Sequence, residues 1–189
     1  MTIAVMHVLK QKRGATVINL STSRVTADIA KALASPVFYS KVGEANVVQM
    51  MMKKKAVIGG EGNGGVIYPS FHAGRDSLIA AALVLSALAT QKMKLSQVVE
   101  TFPVYYTTKS KGKVPNDFTS RLRKLEKKSP NMFGVSKFDR RDGLRIDFPD
   151  GWVQVRTSNT EPIFRLIIET VDKKLTARFT REIMSMFSR

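Results

Sequence analysis

The first hundred residues alternate short apolar runs with segments in which apolar residues recur every three or four positions. The runs combine β-branched or aromatic residues with flanking turn residues, which is typical of strands, and they fall at 16–20, 37–39 and 56–58. The recurring segments have the helical period and occupy 3–10, about 25–33, about 47–51, about 75–91 and 96–100. Alternating strands and helices predict an open α/β sheet domain with flanking helices.

The helix over about 75–91 is the longest predicted in this part of the chain. Its apolar stripe is predicted to consist of Leu78, Ala82, Leu85 and Leu88. Residues at this spacing share one face of a helix, so we expect the stripe to face the core.

The pattern changes near Pro103. Strand-like alternation is found at 104–108, in a hairpin whose arms are 144–148 and 153–155, and at 164–168. Polar residues 109–113 are expected to connect the first strand to a helix that begins near Pro115, and a second helix closes the chain. This part is therefore predicted to be a smaller α+β domain with an antiparallel sheet and two helices. The predicted domains are 1–102 and 103–189.

The composition of the 189 residues excludes some kinds of site and favours one kind of partner. There is no Cys and there are only two His, which excludes disulfides and thiolate zinc sites and disfavours a Ser-His-Asp triad. Neither a secretory signal nor a stretch of about 20 apolar residues is present, so we expect a cytoplasmic protein with no membrane partner. Thirty-one Lys and Arg against fifteen Asp and Glu give a net charge of +16, which favours an anionic partner.

A glycine-rich loop, 59–65, directly follows the strand at 56–58. It contains the dinucleotide-binding pattern G-x-G-x-x-G, but that pattern must open a helix, and Val66–Pro69 is not a helix start. The loop presents one carboxylate, Glu61, and one carboxamide, Asn63, both suited to hydrogen bonding with sugar hydroxyls. The alternative is a tight glycine turn with a solvated Glu61.

A second polar loop, 156–162, lies between two predicted strands. Arg156, Ser158, Asn159 and Thr160 offer a planar cation, hydroxyls and an amide that can converge on a phosphate dianion. The alternative is a polar connection in which the Ser and Asn side chains satisfy their own turn.

Together the two loops resemble the α-D-phosphohexomutase superfamily, which includes phosphoglucomutases, phosphomannomutases and phosphoglucosamine mutases. The resemblance rests on Gly-Glu-x-x-Gly at a strand end and on Arg-x-Ser-Asn-Thr-Glu-Pro about 95 residues later. The segments 19–24, 41–46 and 72–76 agree with it. It covers essentially the whole chain and matches domains three and four of the four-domain family.

The resemblance implies a role for each loop. Glu61 and Asn63 would contact the sugar hydroxyls of a hexose phosphate. The second loop would hold the phosphate at the end that does not react, through Arg156, Ser158, Asn159 and Thr160. Some relatives carry Lys and His in the regions of Ser21 and Glu44, and we assign neither position a catalytic role.

The resemblance also implies that the chemistry lies elsewhere. The family's phosphoserine and its Mg²⁺-binding Asp-Gly-Asp-x-Asp-Arg loop belong to domains one and two, and neither motif occurs in this sequence. We therefore expect no catalytic residue, metal ligand or cofactor in this chain, with Mg²⁺ bound in the full-length enzyme. An N-terminal half, on the same or a separate chain, is the expected partner, and the chain alone should not act as an isomerase.

A non-catalytic basic module for nucleic acid or an acidic protein is the alternative. Nucleic-acid binding by stacking needs aromatic side chains beside the cations. Aromatic residues make up only 8% of the chain, and Phe118, Phe164 and Phe179 fall on predicted apolar faces. Nucleic acid is therefore disfavoured as a partner.

Overall fold

The computed structural model describes residues 1–188, which divide into two compact units. The first unit is Met1–Pro103, and the second begins at Val104. No helix within the described residues is long and apolar enough to cross a membrane.

The first unit consists of five helices and five strands. In chain order these are α1 (Thr2–Gln11), β1 (Thr16–Asn19), α2 (Arg24–Ala32), β2 (Val37–Ser40), α3 (Glu44–Lys54), β3 (Ile58–Gly60), β4 (Val66–Tyr68), β5 (His72–Arg75), α4 (Ser77–Gln91) and α5 (Leu95–Glu100). The strand order in the sheet is β2-β1-β3-β4-β5. The first three strands of that order are parallel, whereas β4 and β5 extend the sheet in antiparallel fashion.

Apolar side chains pack on both faces of this sheet. On one face α1 and α4 contribute to a cluster that includes Val5, Ile58 and Leu83. On the opposite face α3 packs against the sheet through a cluster that includes Met51 and Val17. The predicted open α/β sheet with flanking helices is therefore confirmed.

Helix α4 does not bury the side that the sequence predicts. Leu83 and Ala87 are buried and Ile79 packs beside them, whereas Leu78 and Leu85 are 81% and 66% exposed. The prediction is wrong because α4 is apolar around its whole circumference and contains no charged residue. Such a helix has no polar face from which its buried side can be recognised.

The second unit consists of five strands and two helices. They are β6 (Tyr106–Lys113), α6 (Phe118–Phe133), β7 (Lys137–Asp139), β8 (Leu144–Phe148), β9 (Gly151–Thr157), β10 (Ile163–Thr170) and α7 (Lys173–Phe187). All pairings are antiparallel, and the strand order is β6-β10-β9-β8-β7. The predicted α+β domain with two helices is confirmed, but residues 109–113 belong to strand β6 rather than to a connection.

The two faces of the second sheet differ in chemistry. One face packs against α6 and α7 in a phenylalanine-rich core, where the rings of Phe133 and Phe148 are stacked 4.6 Å apart. The other face is also buried at β9 but carries polar groups. There the Trp152 Nε1–H donates to Glu169 Oε1 at 2.8 Å, and the Arg145 guanidinium lies 4.1 Å from the Trp152 ring. This polar face also carries Arg156, because Arg156 lies four positions after Trp152 along β9 and side chains an even number of positions apart project from the same face of a strand.

Candidate functional site

The glycine-rich loop leaves the first sheet where its strand order reverses. The chain passes from β1 outward to β2 and then returns to the other side of β1 to form β3. In open α/β sheets, ligands bind outside the carboxyl ends of the strands at such a switch point. Asn19 ends β1 and Glu61 directly follows β3, so the fold brings both side chains to this position.

Glu61 is 5% exposed and accepts hydrogen bonds at both carboxylate oxygens. Its Oε1 accepts from Asn19 Nδ2 at 2.8 Å and from the Gly43 backbone N–H at 3.0 Å. Its Oε2 accepts from Arg75 Nη1 at 3.1 Å. Gly43 is the N-cap of α3, so the carboxylate also lies where a helix dipole favours negative charge. Glu61 therefore connects three separate segments of the first unit.

Arg75 links Glu61 to a second carboxylate, Glu44. The Arg75 backbone N–H donates to Glu44 Oε1 at 2.8 Å, and its Nε donates to Glu44 Oε2 at 2.8 Å. These hydrogen bonds, the backbone one foremost, lower the pKa of Glu44 below its ordinary value. The same side-chain bond raises the pKa of Arg75, which stays a cation. Two carboxylates, Glu61 of the loop and Glu44 at the start of α3, are therefore held around one guanidinium.

The turn itself depends on glycine at two positions. Gly64 has a φ of +96°, which is strained for residues with a side chain. A Cβ at Gly62 would lie 2.9 Å from the Thr22 Cα, so the loop approaches the chain after β1 closely. Between these glycines Asn63 is exposed, and its Oδ1 accepts from the Gly65 N–H at 3.3 Å. Asn63 and Glu61 thus lie on one turn, with Asn63 facing water and Glu61 mostly enclosed.

The second predicted loop connects β9 to β10. Arg156, at the end of β9, is buried, and its Nη1 donates to the Thr157 carbonyl oxygen at 3.0 Å. The Ser158 N–H donates to the Ile163 carbonyl oxygen at 2.8 Å and closes the loop. Asn159 and Thr160 lie at its exposed tip. The structure therefore anchors the guanidinium in the sheet and leaves the amide and hydroxyl groups open to solvent.

Strand register adds two further cations beside this loop. Arg156 pairs directly with Arg165 on β10, and Arg165 pairs with Lys111 on β6. Directly opposed residues in an antiparallel sheet project from the same face, and like charges placed there repel one another. Glu161 accepts from Arg165 Nη2 at 2.7 Å, so one carboxylate of the loop accompanies this row of three cations. The arrangement concentrates positive charge where an anion would relieve the repulsion.

Sequence reasoning identified neither Arg165 nor Lys111. The signal for Arg165 was available, because its neighbours Phe164 and Leu166 lie in the core and therefore place Arg165 on the opposite face of the sheet. Val155 places its neighbour Arg156 on that face in the same way. Lys111 could not be found, since its segment was interpreted as a connection. Asn19 and Gly43 lie in the segments 19–24 and 41–46 that agree with the family resemblance, but their contacts with Glu61 were not predicted, because they join residues distant in sequence.

The described residues 1–188 contain no group of three or more His, Asp or Glu side chains that could hold a metal ion. The donors gathered at Glu61 and Glu44 are already engaged with the guanidinium of Arg75. The residues present therefore do not fit a magnesium site.

Comparisons with known proteins place both units in one class, the phosphohexomutases. The family profile described as "Phosphoglucomutase/phosphomannomutase, alpha/beta/alpha domain III" matches residues 1–105. The profile described as "Phosphoglucomutase/phosphomannomutase, C-terminal domain" matches residues 110–186. The chain belongs to the phosphoglucomutase/phosphomannomutase family, of which it contains domains III and IV.

Individual relatives support this family assignment. The chain is 38% identical over 160 residues to a phosphoglucomutase/phosphomannomutase of Thermococcus kodakarensis, a match that covers 82% of this chain and 34% of the relative. A crystal structure of a phosphoglucomutase/phosphomannomutase family protein from Burkholderia thailandensis superimposes with a TM-score of 0.77 at 23% identity, covering 98% of this chain and 40% of that one. A crystal structure of Aspergillus fumigatus N-acetylphosphoglucosamine mutase in complex with GlcNAc-6P and magnesium gives a TM-score of 0.70 at 13% identity, covering 98% and 42%. The chain thus spans about two fifths or less of the length of these relatives.

Proposed function

We propose that this chain is the substrate-holding half of a phosphohexomutase. In this role it binds the sugar hydroxyls and the non-reacting phosphate of a hexose phosphate while phosphate is exchanged between the 1- and 6-positions. Domain membership supports the class of protein. The observation that carries the proposal is the row of Arg156, Arg165 and Lys111 beside a loop of amide and hydroxyl donors.

The phosphate is assigned to residues 156–160 of the loop 156–162 in the second unit. Guanidinium groups form short, charge-assisted hydrogen bonds with phosphate oxygens, and Arg156 is held in place by its burial in the sheet. Ser158, Asn159 and Thr160 add neutral donors at the tip of the loop. Arg165 and Lys111 then contribute charge from the adjoining strands. A dianion bound here would lower the repulsion among the three cations.

The sugar is assigned to Glu61 and Asn63 in the first unit. An ionised carboxylate has about four acceptor positions, and the protein itself occupies three of those of Glu61. The remaining position can accept one hydroxyl hydrogen. Asn63, exposed on the same turn, can both donate and accept. A sugar held by these groups would meet one fixed acceptor and one adaptable side chain.

Phosphoryl transfer also needs an in-line nucleophile and neutralisation of charge at the transferred group. We assign these tasks, and the Mg²⁺ on which the family generally depends, to the part of the enzyme that corresponds to domains I and II. This chain would orient the substrate without touching the reacting phosphate.

The test is the substitution Arg156→Ala, with binding of glucose 1-phosphate measured by calorimetry. Loss of charge-assisted hydrogen bonds to phosphate should weaken binding by about 1.5–3 kcal/mol. Arg156→Lys, which keeps the charge but loses the bidentate geometry, should recover only part of the affinity.

Arg178→Ala is the matched control, because Arg178 is an exposed arginine on helix α7 of the same unit. It should bind as the parent does. Equal affinity of Arg156→Ala and the parent would remove Arg156 from the binding site, and failure of the parent to bind any hexose phosphate would refute the proposed function.

A further inference from the structure

Helix α4 has an exposed side that is as apolar as its buried side. Its fifteen residues include no Asp, Glu, Lys or Arg, although 24% of the whole chain is charged. The inner side, with Leu83 and Ala87, packs in the core of the first unit. A helix that is apolar all round is typical of one buried on every side. Half of α4 therefore lacks the covering layer that its composition implies.

The exposed residues form one continuous line, which we name the α4 seam: Leu78, Ala82, Leu85 and Ala89. Their spacing of four, three and four residues places them on a single face, as in helices that pack along one another. Leu78 and Leu85 are among the most exposed large apolar side chains of residues 1–188. The alanines between them allow a neighbouring backbone to approach closely. The seam therefore has the shape of a helix-packing surface.

We infer that the α4 seam is the surface on which domains I and II of a phosphohexomutase dock onto this chain. The inference rests on the proposed function, because the occupant is the remainder of that enzyme. The matched domains are numbered III and IV, and the chain covers only 34% to 42% of its relatives. More than half of the length of each of these relatives therefore lies outside the matched region and could cover this helix.

A second copy of the chain is a poorer occupant. Each chain carries a net charge of +16, and two such chains repel one another. The seam itself offers no charge of either sign to offset this repulsion. A partner of different composition can cover the apolar line without that penalty.

The experiment measures binding between this chain and the separately produced part of the Thermococcus kodakarensis relative that lies outside the matched region. Sedimentation and calorimetry should detect a one-to-one complex. Leu78→Glu and Leu85→Glu each place a charge in the seam and should weaken the complex about tenfold or more. Met52→Glu is the matched control, because Met52 is an equally exposed apolar residue on another helix, α3. It should change the affinity less than about twofold.

Each outcome has a defined meaning. Absence of a complex, or seam variants that bind as tightly as the parent, would overturn the inference. Self-association of the parent that the seam variants abolish would also overturn it, by assigning the seam to a second copy. Because both leucines are exposed, the variants should unfold as the parent does, which circular dichroism checks. Glucose 1-phosphate binding by the same variants separates the two proposals, since loss of docking with retained ligand binding leaves the proposed function intact.

Discussion

Replacing Glu61 by alanine removes the acceptor on which Asn19, Gly43 and Arg75 converge. Asn19 is buried, and the contact with Gly43 is partly buried, so both donors would lose their partner without full access to water. Each such bond to a charged group is worth about 1.5–3 kcal/mol. The Arg75 side chain is 40% exposed, and this contact adds at most about 1 kcal/mol. Allowing for relaxation, Glu61→Ala should lower the free energy of unfolding of the first unit by about 3–5 kcal/mol.

The position of the only tryptophan allows this effect to be assigned to one unit. Trp152 lies in the second unit, so its fluorescence reports unfolding there, whereas the far-ultraviolet circular dichroism includes the five helices of the first unit. In a urea titration, Glu61→Ala should move the circular dichroism transition to lower urea and leave the fluorescence transition in place. Glu61→Gln, which keeps the acceptor oxygen but loses the charge, should cost about half as much.

Glu100→Ala is the control, because Glu100 is an exposed carboxylate in helix α5 of the same unit. Its transitions should both match those of the parent. The reasoning would be refuted if the circular dichroism transition of Glu61→Ala also coincided with that of the parent. It would fail equally if both transitions of Glu61→Ala shifted together, because the effect would then not be confined to the first unit.

Three further predictions concern ligands, turnover and pH. Glu61→Gln should weaken binding of hexose phosphates while leaving inorganic phosphate unchanged, because Glu61 is assigned to the sugar hydroxyls and the phosphate to the loop of the second unit; parallel weakening in calorimetry would assign Glu61 to organising the fold alone. The purified chain should show no mutase turnover with Mg²⁺ and a hexose 1,6-bisphosphate, and turnover at the usual ~1–10³ per second would overturn the division of roles proposed here. Arg75 lowers the pKa of Glu44, so the stabilisation from Glu44 should be complete above its ordinary pKa of 4.5 and disappear as the pH falls through the lower pKa of the folded state. Glu44→Gln should therefore be less stable than the parent in urea at neutral pH and equal to it in strong acid, and a difference that did not change with pH would contradict this origin.

Local sequence predicts best the helices and strands that have one apolar face and one polar face. Strand β8 and helix α7 are examples, because their apolar and polar residues recur with the period of each element. The second part of strand β6, residues 109–113, was missed for the opposite reason. Its Lys109, Lys111 and Lys113 face water and alternate with Ser110 and Gly112, so the segment has the composition of a loop. Its pairing with β10 is a property of the assembled sheet.

The candidate site likewise combines features that local sequence predicts with contacts that only the assembled fold provides. The two loops could be found from sequence because each gathers polar side chains within seven residues. The contacts that fix those side chains could not, since Asn19 is 42 residues from Glu61. Lys111 is likewise brought beside Arg165 only by the register between two strands. Register follows from the pairing of whole strands, which no local pattern specifies.

Strand β6 has a further consequence, for the solubility of the protein. It forms one edge of the second sheet and is eight residues long, so its outer row of backbone groups could template pairing with another chain. The opposite edge, β7, is only three residues long. Lysines at alternate positions along β6 place three like charges where a second β6 strand would have to align, which opposes edge-to-edge aggregation. Part of the excess positive charge of this chain thus keeps its longest exposed edge from forming intermolecular sheets, and neutralising these lysines by acetylation should promote fibrillar aggregation.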